Sequence, residues 1–134
     1  MLNPGARLPT AVVSVLAAAT MALTPSYAAD PTWKMQSAFS LTVGQTAIVY
    51  AVRGKECTDE APSYDSIRGQ LPSTTLGSFT DGGTVQRESG RCALPNARAG
   101  QGGWVKARAI AFTASKTGYE ILGFYSDRVA VTVK

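Results

Sequence analysis

The strongest constraint on this chain is the alternation of apolar and polar residues in its C-terminal third. In "RVAVTVK", Val129, Val131 and Val133 occupy every second position, as a strand with one buried face requires. The apolar segments "WVKARAIAFTAS" and "YEILGFY" precede it, and the short turn sequences "KTG" and "SD" separate the three segments. This pattern predicts three consecutive strands over 104–134.

Two more strands are predicted near the start of the domain. "SAFSLTV" (37–43) places Phe39, Leu41 and Val43 on one face, and "TAIVYAVR" (46–53) is rich in residues that favour strands. The turn at Gly44 predicts that these two segments form a hairpin or lie as neighbouring strands. Because no segment shows a helical period, the predicted fold is all-β: a single antiparallel β-sandwich, with a small barrel as the alternative.

The middle of the chain has a different character. "PSYDSIRGQLP" (62–72) predicts one helical turn, with Tyr64, Ile67 and Leu71 against the core. Farther on, "TLGSFT" and "TVQRE" flank Asp81-Gly82-Gly83, and Asp-Gly is a strong signal for a tight turn, so a short hairpin is expected. The glycine-rich segment 95–103 is expected to be a flexible connection.

The N-terminal segment predicts export. One cation, Arg7, precedes an apolar run over 11–23, and Ser26 and Ala28 stand at the −3 and −1 positions of a cleavage site. The alternative is an uncleaved anchor or a buried N-terminal helix. We therefore divide the chain into a signal peptide, 1–28, and one β-sandwich domain, 29–134, of about 105 residues, which is enough for a single core.

The only two cysteines, Cys57 and Cys92, are predicted to form a disulfide, because an exported chain meets an oxidising compartment. They close a long loop region that contains many of the acids and several arginines. A free nucleophilic thiol is the weaker alternative, since no histidine is present to activate it.

The absence of histidine from the sequence excludes many catalytic and metal sites. Ser–His–Asp and Cys–His arrangements cannot form, and zinc and copper sites normally need imidazole or thiolate ligands. "GQGG" at 100–103 lacks the Lys-Ser/Thr of a phosphate-binding loop and precedes a strand. We expect no enzyme activity and no cofactor.

The acids near the first cysteine leave one alternative open. Glu56, Asp59, Glu60 and Asp65 offer oxygen atoms to calcium, but their spacing is not that of a calcium-binding loop. A solvated acidic loop is the preferred interpretation. The same acids allow a small carboxylate enzyme as a remote alternative.

The charge pattern bears on the class of partner. The formal net charge is +4, of which Arg7 would leave with the signal peptide. The remaining cations are scattered rather than clustered in sequence, so a nucleic-acid groove or a polybasic membrane patch is not expected. No membrane-spanning segment is expected after signal cleavage.

Candidate partner-binding residues lie in the cysteine-closed region and after the glycine-rich segment. Arginine and exposed aromatic side chains are frequent anchors of interfaces. For each of these residues the alternative is a structural role, as a core residue, a cap on one end of the sheet or part of a self-paired polar hairpin. The candidates are Tyr64, Asp81, Arg87, Glu88, Arg91 and Trp104.

Two segments support a family resemblance. "AIAFTASKTGYEILGFYSDRVAVTVK" (109–134) resembles the last strands of bacterial immunoglobulin-like domains of exported proteins, and "LTVGQTAIVYAV" (41–52) is similar to their early strands. The resemblance implies an immunoglobulin-like sandwich and no particular active site. The chain departs from it by having no Trp between the two cysteines.

These observations favour an exported, non-enzymatic binding module that acts through a protein partner, in an inhibitor or immunity-type role in the periplasm or outside the cell. One alternative is a structural surface, pilus or matrix subunit that assembles through sheet edges. The other is a module that binds carbohydrate or cell wall.

Overall fold

The computed structural model describes residues 30–93 and 103–134. The predicted signal peptide and residues 95–102 of the predicted flexible connection lie outside these ranges. In chain order the elements are β1 (Thr32–Trp33), β2 (Ala38–Leu41), β3 (Thr46–Arg53), α1 (Tyr64–Ile67), a 3₁₀ turn (Arg68–Gln70), β4 (Gly77–Ser89), a second 3₁₀ turn (Gly90–Cys92), β5 (Gly103–Ala114), β6 (Gly118–Phe124) and β7 (Asp127–Val133).

The strands form two packed sheets, which confirms the predicted β-sandwich. One sheet has the order β1-β4-β5-β3 and the other has the order β2-β7-β6. Over the residues described, the strands do not close into a barrel.

The strands of the C-terminal half pair as antiparallel neighbours: β5 with both β3 and β4, and β6 with β7. The two N-terminal strands join in parallel, β1 beside β4 and β2 beside β7. The predicted pairing of β2 with β3 is therefore wrong. Instead, all four residues of β2 pair with β7. The chain then passes from one sheet to the other through a turn at Gly44, whose φ is +90°.

The hairpin predicted at Asp81 is also wrong. Residues 77–89 form one strand with a bulge, where the register against β5 shifts between Asp81 and Thr84. The turn-forming residues shape the bulge instead: Gly83 has φ +85°, and its N–H donates to Oδ1 of Asp81 at 2.8 Å. The strand continues because β5, with 12 residues, is long enough to pair with both halves.

The core lies between the sheets. Its largest fully buried side chains include Phe112 and Ile110 of β5, and Phe124 and Leu122 of β6. Every second residue of β7 is buried, as the alternation predicts. The predicted helical turn is confirmed: the Ser63 side chain caps α1, Ile67 is buried, and Tyr64 and Leu71 pack against the core from its edge.

A second, smaller cluster lies on the first sheet. It consists of Ala51 of β3, Val85 of β4, and Ala107 and Ala109 of β5, with Trp33 and Ile48 packed against them. A methyl group on Gly82 would lie 2.6 Å from Cδ1 of Ile48 and 2.9 Å from Cβ of Ala109. The bulge of β4 therefore approaches β3 closely over Ala109 of the intervening strand.

Side chains from β1 and β4 reach across β5 to the edge strand β3. Nε1 of Trp33 donates to the carbonyl of Ile48 at 3.5 Å, and the Arg87 guanidinium donates to the carbonyl of Ala51. Side chains thus satisfy backbone acceptors that an edge strand would otherwise present to another chain.

Candidate functional site

The disulfide between Cys57 and Cys92 is confirmed, with Cα atoms 5.6 Å apart. It joins the segment after β3 to the 3₁₀ turn after β4. Nη1 of Arg53 donates to Oγ of Ser89 at 2.5 Å and to Sγ of Cys92 at 3.3 Å. The bond and this arginine hold together two segments that border a groove.

The groove has a volume of about 400 Å³ and opens at the end of the sandwich where the β6–β7 turn approaches β3 and β4. Its wall combines tyrosine rings with an excess of positive charge. Among the residues that the structure describes, four cationic side chains and one carboxylate, Asp127, line it. The cations are Arg53, Lys55, Arg87 and Arg91.

Arg87 is the most firmly held of these cations. Its guanidinium carbon lies 4.9 Å from the ring centre of Tyr50 and 5.6 Å from that of Trp33, within the range of cation–π attraction. It donates to the carbonyl of Ala51 and lies 3.5 Å from Oδ2 of Asp127. With 18% of its side chain exposed, Arg87 is a fixed charge in the groove wall.

Tyr50 connects the groove to the core. Its ring stacks on Phe124 with the centres 4.8 Å apart, and its hydroxyl donates to Oδ2 of Asp127 at 2.5 Å. Burial raises the pKa of Tyr50, and the hydrogen bond to Asp127 acts in the same direction. The hydroxyl therefore remains a donor at neutral pH and orients the only carboxylate of the groove.

Tyr125 forms the exposed wall. It stands in the two-residue turn between β6 and β7, and 52% of it is exposed. Its φ is +54°, and it is the only residue other than glycine with a positive φ in the described part of the chain. A bulky side chain in this region costs about 1–2 kcal/mol, so this turn keeps an aromatic ring where glycine would be less strained. Burial raises the pKa of Tyr125 as well.

The structure brings together only some of the residues that the sequence singled out. Arg87 and Arg91 line the groove. Glu88 and Trp104 are directly opposite each other on β4 and β5, outside the groove lining, and Trp104 is 44% exposed.

The other two candidates lie elsewhere and have local partners. Tyr64 packs against the core. Asp81, at the bulge, pairs with Arg108 at 3.2 Å. These contacts give both side chains a structural role, and their part in partner binding stays a prediction.

The residues that sequence reasoning missed come from turns and strand ends. Tyr119 and Tyr125 lie at the two ends of the predicted strand "YEILGFY", where aromatic residues are more often part of a core, but both are exposed. The signal that pointed to Tyr125 was its place beside the predicted Ser126-Asp127 turn. Nothing in the sequence predicted that Lys55, Arg87 and Arg91 converge, because the disulfide and the strand pairing bring them together.

The acids of the long loop region are partly engaged in local contacts. Oδ2 of Asp59 accepts from the N–H of Glu56 at 2.8 Å, and Glu60 pairs with Lys106 at 3.0 Å. Over residues 30–93 and 103–134, no group of three or more potential metal ligands converges. Within the same ranges, no helix has the length and apolar composition that crossing a bilayer would need.

Comparisons of the chain with protein-family models, with curated proteins and with solved structures find no match.

Proposed function

We propose that this protein is an exported, non-enzymatic binding module that acts through one protein partner, and that the partner occupies the basic groove. The observation that supports this most is the convergence of four cations and two tyrosines in one groove. Arginine and tyrosine are the residue types that dominate binding energy at interfaces.

The rigidity of the groove supports the same proposal. The disulfide fixes the segments that carry Lys55 and Arg91, and Arg87 is held by two aromatic rings and a backbone carbonyl. A surface that is ordered before binding loses little side-chain entropy on association. Such a rigid, loop-presented surface suits an inhibitor or immunity-type role, in the periplasm or outside the cell.

The test is capture of a partner by the full-length chain, expressed in its organism of origin with a C-terminal affinity tag. We expect one stoichiometric protein to be retained by the wild type and lost by the double variant Lys55→Glu/Arg91→Glu. The matched control is Lys116→Glu/Lys134→Glu, which changes the charge equally at exposed positions at the opposite end of the sandwich. A partner retained equally by both variants would contradict the assignment to the groove. The N-terminus of the captured chain, read by mass spectrometry, tests the predicted cleavage after Ala28.

One observation favours a second candidate function, a structural subunit that assembles through its sheets. Tyr119 and Ile121 of the edge strand β6 point outwards, 62% and 58% exposed. Their cross-strand neighbours on β7 are Thr132 and Ala130, so this part of the outer face carries no charge. Sedimentation at high concentration tests it: assembly that the variant Ile121→Lys abolishes would support a structural role, and a monodisperse monomer would refute it.

A further inference from the structure

We propose that the basic groove recognises an acidic, extended segment of the partner protein, and that Tyr125 is the residue that selects the side chain next to the acids. This inference rests on the proposed function and names the chemistry that the groove would recognise. Three independent features of the groove support it: its charge, its backbone strain and its size.

The groove concentrates positive charge in one place. Of the cations outside it, three are paired with a carboxylate, Arg68 with Asp65, Lys106 with Glu60 and Arg108 with Asp81, and Lys116, Arg128 and Lys134 are exposed. Among the described residues, the groove lining has four cations and one carboxylate, Asp127, which lies beside Arg87. The groove therefore has a formal excess of positive charge that a carboxylate-rich ligand would neutralise.

The position of each cation suggests how acids would be bound. Arg87 is fixed deep in the wall by its own partners, so it contributes mainly a long-range field. Lys55 and Arg91 are exposed at the rim, where their donors can turn towards a ligand. A guanidinium binds a carboxylate through two parallel hydrogen bonds, which makes Arg91 the principal contact for a Glu or Asp side chain.

The backbone strain at Tyr125 indicates that its side chain has a role in the groove. A two-residue hairpin loop with positive φ at its first position favours glycine there. Strain of this kind, when it occurs beside a binding groove, points to function. The ring of Tyr125 stands 6.3 Å from that of Tyr50 and nearly parallel to it, at 18°, so the pair presents an aromatic wall on which an apolar side chain can pack.

The size of the groove favours a short stretch of peptide. A volume of about 400 Å³ lies near the lower end of the range for ligand sites, and it accommodates a few side chains rather than a folded surface. A nucleic acid would contact cations along many phosphates over an extended basic face, whereas these four cations line one small groove. An anionic polysaccharide shares the charge, and its sugar rings also stack on aromatic side chains. We commit to the peptide because the proposed function names a protein partner, and the glycan is an outcome of the test.

The experiment measures fluorescence anisotropy of a fluorescein-labelled hexapeptide in which Glu alternates with Phe. Two matched probes replace every Glu with Gln or every Phe with Ala. We expect the Glu/Phe probe to bind, the Gln probe to bind at least tenfold more weakly, and affinity to fall as NaCl rises from 50 to 500 mM. Equal binding of the Glu and Gln probes would overturn the proposal.

Variants assign the contacts. Lys55→Glu/Arg91→Glu is expected to weaken the Glu/Phe probe at least tenfold, and Lys116→Glu/Lys134→Glu less than threefold. Tyr125→Asn places a residue that tolerates positive φ in the turn; it should keep the thermal stability of the wild type and weaken the Glu/Phe probe about fivefold, with little effect on the Glu/Ala probe. If Tyr125→Asn binds the Glu/Phe probe as tightly as the wild type does, the selecting role of Tyr125 is wrong.

An oligogalacturonate and inorganic phosphate serve as competing ligands. Binding of the oligogalacturonate alone, lost in the Lys55→Glu/Arg91→Glu variant, would overturn the peptide assignment in favour of an anionic glycan. Displacement of the probe by low phosphate concentrations would show a general anion site and overturn it too. These outcomes are separate from the capture experiment, in which a partner bound elsewhere on the surface would refute the proposed function even if acidic peptides enter the groove.

Discussion

Replacement of Arg87 by methionine tests whether one side chain holds the groove, the second cluster and the edge of β3 together. Methionine keeps an unbranched apolar stem but has no donor and no charge. It would remove the hydrogen bond to the Ala51 carbonyl and both cation–π contacts, with Trp33 and Tyr50. It would also leave Asp127 without its arginine partner.

The expected loss of stability follows from these contacts. A hydrogen bond from a charged donor contributes about 1.5–3 kcal/mol, and each cation–π contact at a partly exposed site about 0.5–1 kcal/mol. The pair with Asp127 adds little, because its atoms are 3.5 Å apart and about a third of the aspartate side chain is exposed. These contributions sum to about 2.5–5 kcal/mol, which for a domain of this size lowers the melting temperature by about 10–25 °C.

Urea unfolding followed by tryptophan fluorescence measures the effect, with Arg128→Met as the matched control at an exposed position on β7. The control should lie within about 0.5 kcal/mol of the wild type. Because Arg87→Met also uncovers the carbonyl of Ala51 on an edge strand, we expect the variant to self-associate at high concentration. A variant with unchanged stability and no self-association would refute the role assigned to Arg87.

Three further predictions follow from the same structure. Replacing both Cys57 and Cys92 by alanine should destabilise the protein by about 4 kcal/mol on the chain-entropy view, since the bond spans 35 residues; an equal urea midpoint in reduced and oxidised wild type would contradict this. Gly82→Ala should cost about 2 kcal/mol through overpacking, whereas Gly123→Ala, with no atom within 4 Å of a new methyl group, should be nearly neutral; equal melting temperatures would refute the close approach at the bulge. Burial raises the pKa of Tyr50, so the contribution of its neutral hydroxyl to stability is complete below about pH 10 and is lost as pH rises through the folded pKa. Absorbance titration should show a tyrosine that ionises late in the wild type and is missing from Tyr50→Phe. If the wild type shows no late-ionising tyrosine, the hydroxyl of Tyr50 is not buried as described.

The sequence predicted the parts of the fold that depend on local pattern. Period-two alternation placed β7 and its buried face correctly, and Ser63 and Ile67 indicated the helical turn. Pairing was harder to predict because it depends on which strand is free to accept a partner. The Asp81-Gly82-Gly83 sequence has the chemistry of a turn, yet β5 is long enough to hold both flanking segments, so the same residues form a bulge.

The groove shows why a binding site of this kind escapes sequence reasoning. Its cations lie at positions 53, 55, 87 and 91, in two sequence segments that look like ordinary scattered charge. They converge because the Cys57–Cys92 bond joins the segments and because the Arg87 side chain reaches across the sheet to the carbonyl of Ala51 on β3. A count of charges along the sequence shows neither of these contacts.

The same reasoning gives the long loop region a definite role. Two of its acids, Asp59 and Glu60, have local partners, a backbone N–H and Lys106, and neither acid lines the groove. The disulfide stabilises the domain and also keeps Lys55 near Arg91, and therefore reduction should weaken binding of an acidic peptide even where the sandwich remains folded. The affinity is measured in urea-free buffer with a reductant. If the affinity falls while the tryptophan fluorescence of the folded protein persists, the bond has both roles and they are separable. An affinity unchanged by reduction would show that the pairing of the strands assembles the groove without the disulfide.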